Sequence, residues 1–437
     1  MIKIRVNSFF FPFLLIAMTP IFLLTGPAIP DISLVIVCII FLFYFFKNKN
    51  LYLSNNFFNL SIMFWIILLL LNLISLNFYT SLSESIIFLR MLLLPIIMYL
   101  WLLKDNNHIK IILLIILISN LIVIGDTLYQ FFNYHPFDGF GEGFFNRKAE
   151  FYGRLSGPFL DMVPGSYIAK FFIFGFLGLI IFIKKKITLL FFSILYLTIC
   201  GYITFISGER MALATFLLAM SIGILILKSY RLLFSISLFF LFTSVFITYN
   251  THDHYKNFTV LESNSGHLGL TIEKYDPECD KSINCSKIIR LQPSISEVLK
   301  NFSNSAYYET FSLSLEMIKV YPWTGIGMNN FNFGCLNIEI FKKERCWSHP
   351  HNFYLQWLTE NGIIGFILFI TYIFFIFYKV LQSDSNITYN KYSFIALSVI
   401  FWPIMSTGSL LKNWHGIETF FIIGLSLALL NFKKNIR

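Results

Sequence analysis

The chain has 437 residues, 57% of them apolar and only 13% charged, with a mean hydropathy of +0.71. A soluble domain is nearer a quarter charged, so composition excludes that class. The formal net charge of +10 is not read as a nucleic-acid surface, and no nucleic-acid partner is expected; it has to be placed loop by loop.

Apolar stretches of about 17–25 residues recur from end to end, each long enough to cross ~30 Å of hydrocarbon as a helix. The expected fold class is an all-α polytopic membrane protein with about 12 transmembrane helices. The spans run roughly over 9–26, 32–46, 59–77, 85–103, 110–132, 163–183, 187–206, 211–227, 231–249, 353–378, 392–409 and 415–432. Positive charge falls on alternate connections. One side carries Lys3 and Arg5, Lys47 and Lys49, Lys104 and Lys110, and Lys184, Lys185 and Lys186. The same side holds Lys228 and Arg231, Lys379 and Lys391, and the tail Lys433, Lys434 and Arg437. The short loops opposite offer only Arg210 and Lys412. The positive-inside rule then puts both termini in the cytoplasm. The first apolar run has no small-x-small cleavage site before Asp31 and reads as an anchor.

This divides the chain into spans 1–9 over 1–249, a large extracytoplasmic loop over 250–352, and spans 10–12 over 353–437. A shorter extracytoplasmic loop covers about 133–162. The large loop alone has ordinary soluble composition, and it holds Cys279, Cys285, Cys335 and Cys346. Cysteines in an oxidising compartment pair, and Cys279–Cys285 and Cys335–Cys346 each close a short loop. A zinc site would need tighter spacings such as C-x2-C, which neither gap offers. No metal and no cofactor are expected.

Chemistry is therefore sought at the extracytoplasmic surface. In Ser348-His349-Pro350-His351-Asn352, Pro350 suits a helix's first turn, which would put His351 in the first turn of the tenth span. Free N–H groups there disfavour imidazolium, leaving a neutral ring able to act as a general base, and they attract phosphate. The other reading is an interfacial histidine capping a helix beside a wet loop. Asn352, Gln356 and Glu360 follow at i+4 steps as a polar stripe. Arginines form a second set on the same side. Arg210 closes Ser207-Gly208-Glu209-Arg210 and opens the eighth span; Arg154, in Gly153-Arg154-Leu155-Ser156-Gly157-Pro158, precedes the sixth. Snorkelling explains either alone, but together they suit a pyrophosphate, whose oxygens Arg binds bidentately. Arg90 lies inside the fourth span, where a charge is a functional candidate; the competing expectation is a structural pair with Asp126 of the fifth.

From Ala306 to Val320 apolar residues recur at helical spacing, and Pro322 ends the run. Gly325 and Gly327 then permit a tight turn or a close backbone approach. The expectation is a surface-lying helix that returns the loop to the membrane with His351 beneath it; a plain packing turn is the alternative.

The stretch Tyr321–Phe331 (YPWTGIGMNNF), then Cys335, Cys346 and His349–Phe366 (HPHNFYLQWLTENGIIGF), resembles the O-antigen ligase and polymerase superfamily of bacterial envelope proteins. Gly153–Phe172 and Ser207–Arg210 look similar to that family too. The resemblance implies a metal-independent glycosyltransferase of lipopolysaccharide or related polysaccharide biosynthesis, multi-pass in the bacterial inner membrane. Its donor would be an undecaprenyl-pyrophosphate-linked glycan, its acceptor a glycan or lipid A core, and membrane lipids would surround it. Carried over, His351 would deprotonate the acceptor hydroxyl. Arg210, with Arg154, would hold the pyrophosphate. From their own positions, His349, Asn352 and Arg90 are further substrate-binding candidates. One departure stands out: Ser303–Phe311 lacks the arginine that family members often carry there, and Arg290 is the nearest upstream. A transporter or flippase of polysaccharide or lipid-linked oligosaccharide is a second reading that twelve spans admit, but no pair of Gly/Pro-interrupted spans recurs in the two halves and the large soluble loop has no transport role. A non-catalytic assembly adaptor is a third, and it does not account for a base and arginines on one face.

Overall fold

The computed structural model describes residues 9–135, 138–255, 259–261, 271–275, 286–290, 300–343, 346–382, 387–404, 406 and 408–432. Most of it is helix. In chain order the main elements are α1 (Phe10–Ala17), α2 (Ala28–Lys47), α3 (Asn56–Asn72), α4 (Phe78–Ile96) and α5 (Asn106–Phe132). A two-stranded hairpin follows, β1 (Tyr134–His135) with β2 (Gly139–Phe140), then α6 (Pro164–Phe182), α7 (Lys186–Ile206), α8 (Arg210–Ile226) and α9 (Arg231–Thr251). The antiparallel sheet β3 (Thr259–Leu261), β4 (Thr271–Tyr275) and β5 (Ser286–Arg290) leads to α10 (Ala306–Val320), α11 (Phe331–Asn337), α12 (Phe353–Gln382), α13 (Ile387–Ile400) and α14 (Asn413–Ala428).

Among the described residues, eight helices are long and apolar enough to cross a membrane: α2, α4, α5, α6, α7, α9, α12 and α14. The other four expected spans coincide with shorter helices. α3 and α8 have 17 residues each, α13 has 14, and the first expected span is broken into α1, a four-residue helix at Thr19–Phe22 and a 3-10 turn. Pro20 near the start of that four-residue helix lacks the N–H that would continue α1. In α4, Pro95 likewise removes a donor, and the helix loosens into a π-helical segment over Ile97–Leu102.

The chain divides into two compact units, Met1–Ile112 with Tyr307–Arg437, and Leu113–Ala306. At the heart of the first, every residue of α14 from Gly416 to Ala428 is buried. Gly416 and Gly424 have Met91 and Pro95 of α4, and Met98 of the π-helical segment that continues it, where a side chain would stand, so the backbones close in as small residues allow between membrane helices. In the second, α6 is buried on nearly every face from Pro164 to Leu179. Its Gly175 faces the Tyr196 hydroxyl, which accepts from Asn120 (2.7 Å) and donates to the Phe172 carbonyl (3.1 Å). That arrangement satisfies polar groups that would be costly in an apolar interior.

Candidate active site

Two groups of residues carry the expected chemistry, one in each unit. In the first unit, α12 is broken. Gly362 has φ +62° and ψ −169°, a conformation open essentially to glycine alone. A break inside an apolar helix exposes backbone groups that must find partners. Here they find the segment after α10. Ile326 N–H donates to the Thr359 carbonyl (3.1 Å) and Gly327 N–H to that of Glu360 (2.8 Å). In return Ile363 N–H donates to the Pro322 carbonyl (2.8 Å) and Ile364 N–H to that of Trp323 (3.3 Å). Gly325, at φ +70°, lies against the Glu360–Asn361 peptide, and Gly362 lies against the Trp323–Thr324 peptide. The expected close approach of backbone at Gly325 and Gly327 is thus what this turn does. The segment is held from beneath as well. Asn72 of α3 accepts from Met328 N–H (2.7 Å), and Ser81 of α4 donates to the Met328 carbonyl (3.0 Å).

Above this strap, α10 occupies the expected Ala306–Val320 and packs Leu313 and Met317 with Ile326, Phe331, Cys335 and Phe341 in one apolar cluster. The Cys335–Cys346 disulfide is formed, with Cα atoms 5.7 Å apart. Asn332 donates to the carbonyls of Cys346 (3.0 Å) and Trp347 (3.4 Å). Cys279 and Cys285 lie outside the described residues. Cys346 and Trp347, just before the histidines, are thus tied to α11. His349 is buried (4% exposed), with Nδ1 2.9 Å from the Ser348 hydroxyl. Its ring centroid is 4.3 Å from that of His351, which Trp347 (5.7 Å) and Tyr307 of α10 (6.2 Å) meet edge-on. α10 thus has one ring in edge-on contact with His351.

His351 is not in the first helical turn. Asn352 is the N-cap: its Oδ1 accepts from Leu355 N–H (3.0 Å) and its Nδ2 donates to the Pro403 carbonyl (2.9 Å). His351 stands one residue before the cap with φ +57°, a left-handed conformation a non-glycine side chain seldom adopts. The Leu355 N–H is satisfied by Asn352 and is not presented to the imidazole. The polar stripe is present, since Gln356 donates to Glu360 (3.2 Å) and to the Ser409 hydroxyl (2.8 Å), all three buried.

Arg90 also lies in this unit, and its partner is not Asp126. Its Nε is 2.9 Å from Asp31 in the first turn of α2, its Nη2 donates to Asn413 (2.7 Å), and Asn413 donates back to Asp31 (3.0 Å). Asp126, in the second unit, accepts from the Phe145 N–H (3.3 Å).

In the second unit the loop bearing Arg154 is organised by Gln130 of α5. Gln130 accepts from the N–H groups of Ser156 (3.0 Å) and Gly157 (2.9 Å) and donates to the Gly141 and Arg147 carbonyls (3.0 Å each). Arg154 donates to the Met162 carbonyl (2.8 Å), just before α6. The turn before α8 comes to the same place: Leu155 N–H donates to the Ser207 carbonyl (3.4 Å), and Gly208, at φ +74°, would carry a Cβ 2.9 Å from the Arg154 Cδ. Glu209 spans the junction, its carboxylate accepting from Gly165 N–H (2.7 Å) and Ser166 N–H (3.1 Å) at the start of α6. Burial pushes the Glu209 carboxyl up to about 7, opposed by Arg154, by those two N–H groups and by Lys170. Arg210 is the first residue of α8 and is partly buried.

Glu209, Lys170 and Gln130 were not singled out from sequence. A lysine inside an apolar helix was the signal for Lys170; Gln130 and Glu209 gave none beyond their place beside the arginines.

Two comparisons bear on this geometry. No curated protein matches the chain. The family described as O-antigen ligase matches residues 195–370, from α7 into α12, taking in Glu209, Arg210, the strap, the disulfide and both histidines. Over those residues the chain is similar to the O-antigen ligase family.

Proposed function

We propose that the protein transfers or polymerises an undecaprenyl-pyrophosphate-linked glycan at the periplasmic face of the bacterial inner membrane, both termini being cytoplasmic. The acceptor is a growing glycan or lipid A core. Its hydroxyl oxygen attacks the anomeric carbon, the bond from that carbon to the pyrophosphate oxygen breaks, and undecaprenyl pyrophosphate leaves with both electrons. His351 takes the hydroxyl proton as general base. Arg210 and Arg154 bind the pyrophosphate and stabilise the charge that grows on it, in a reaction needing no metal.

The observation that carries this reading is His351 itself. It sits at φ +57°, directly before a capped helix and bracketed by His349, Trp347 and Tyr307. Strained backbone of this kind clusters at functional sites. For a transporter the break in α12 would have to line a path, yet the four backbone hydrogen bonds of the strap fill it.

The test is a cell-free assay with purified protein, lipid-linked oligosaccharide and acceptor. His351→Ala should accumulate normally and lose about 10²–10⁴ in rate, the usual worth of a general base. Arg210→Lys keeps the charge but loses the bidentate fork and should be impaired. Full transfer by both variants would end this reading. Loss in His349→Ala with His351→Ala tolerated would move the base to His349.

A further inference from the structure

We propose that Glu209 is a positioning residue for the donor site: one carboxylate that holds Arg154, Lys170 and the first turn of α6 in the arrangement that receives pyrophosphate. This rests on the assignment of the arginines given above and goes beyond it. Three cationic features converge on Glu209. Gly165 and Ser166 donate their N–H groups to it at 2.7 and 3.1 Å, at the positive end of α6. Arg154 acts on it from the loop before α6, where its Nη2 is tied to the Met162 carbonyl. Lys170 acts on it from within α6, where the side chain is only 9% exposed. Side chains on a helix lean toward its N-terminus, so the Lys170 ammonium is carried up from its own Cα toward the Gly165–Ser166 turn. The packing around this carboxylate leaves no slack. A Cβ at Gly165 would meet the Ser207 hydroxyl, and one at Gly208 would meet the Gly153 carbonyl at 2.7 Å.

Without Glu209, Arg154 and Lys170 would lose the carboxylate that both act on in a poorly solvated place. With it, both are drawn to one carboxylate, and Lys170 supplies a second type of phosphate-binding cation in a chain whose Ser303–Phe311 segment carries no arginine. Arg154 and Lys170 are the charged groups acting on Glu209 from the elements packed around it, and Arg210 follows it in its own turn.

Glu209→Gln separates this role from simple helix capping, because an amide oxygen still accepts both N–H groups while the charge is gone. The variant should accumulate like wild type, yet raise the KM for lipid-linked donor roughly tenfold, as expected for weakened charge-assisted contacts. In wild type the donor KM should climb as pH falls from 8 to 6, as Glu209 takes up a proton; in Glu209→Gln that slope should vanish. A pyrophosphate esterified at both ends does not titrate in this range. Lys170→Met should move the wild-type inflection to higher pH by removing a cation that favours the carboxylate. A flat wild-type KM from pH 6 to 8 overturns the proposal without need of any variant. So does a Glu209→Gln KM equal to or below wild type. If Arg210→Lys is impaired while Glu209→Gln is normal, only this inference falls; if both are normal, the assignment of the arginines falls with it.

Discussion

Gly362→Ala is the substitution that most directly tests how the strap and α12 depend on each other. The change adds one methyl, directed at the Trp323 carbonyl, which is backbone and cannot swing aside. It also forces alanine to φ +62°, ψ −169°, which costs roughly 1–3 kcal/mol. Moving the strap away relieves the clash but breaks some of its four backbone hydrogen bonds, each worth about 1 kcal/mol net. With two of them lost, the total comes to roughly 3–5 kcal/mol. Purified protein in detergent should melt well below wild type and transfer little glycan, because the first turns of α12 begin at the Asn352 cap beside His351. Gly125→Ala in α5 is the control. A Cβ there has nothing within 4 Å, so this variant should be as stable as wild type or slightly more so. If Gly362→Ala melts and transfers like wild type, the reasoning about the break is refuted.

Arg90→Leu alone should destabilise by about 2–3 kcal/mol, below the usual range for a fully buried pair because both side chains are partly exposed, and Arg90→Leu with Asp31→Leu should recover abundance. An abundant but inactive double variant would place Arg90 among the substrate contacts after all. Cys335→Ser should lower stability by about 2–3 kcal/mol for so short a loop and reduce transfer, and free thiols at both positions in protein from an oxidising compartment would contradict the bridge. The Glu209 carboxyl is raised from 4.5 to about 7 on folding, so the folded protein holds a proton that the unfolded chain releases over that window. Stability should therefore fall as pH rises from about 4.5 to about 7, and comparison of melting curves with Glu209→Gln should show that slope reduced.

Local chemistry was legible in the sequence; long-range partnership was not. The ends of α10 follow from helical spacing and Pro322, and the Cys335–Cys346 bridge from two cysteines that close a short loop. The His351 expectation went astray within local rules. Pro350 suits a first turn, but Asn352 two residues later is the stronger N-cap, and its bond to Leu355 set the helix start there. The Arg90 expectation went astray for a different reason. Matching charges by depth in successive spans assumes that chain neighbours are spatial neighbours. α4 packs instead against α14 and α2, which bring Asn413 and Asp31 to the guanidinium. Nothing in hydropathy encodes that choice.

The two stretches that carried the family resemblance show the same limit more sharply. Read along the chain, YPWTGIG and the later TENGIIG are separate signatures, each with glycines that permit several kinds of turn. In the folded unit they are two halves of one object. Gly325 presses on the Glu360–Asn361 peptide, Gly362 on the Trp323–Thr324 peptide, and four backbone hydrogen bonds join them. Backbone pairing of this kind fixes position more tightly than apolar side chains alone, because it sets direction and register together. It ties the end of α10 to the middle of α12, while the disulfide and Asn332 tie Trp347 to α11. The rings that bracket His351 from α10 and from Trp347 are thereby held relative to the helix that His351 precedes. A polar break in an apolar helix, costly if left open, is what lets the segment after α10 and the helix it joins hold one histidine between them.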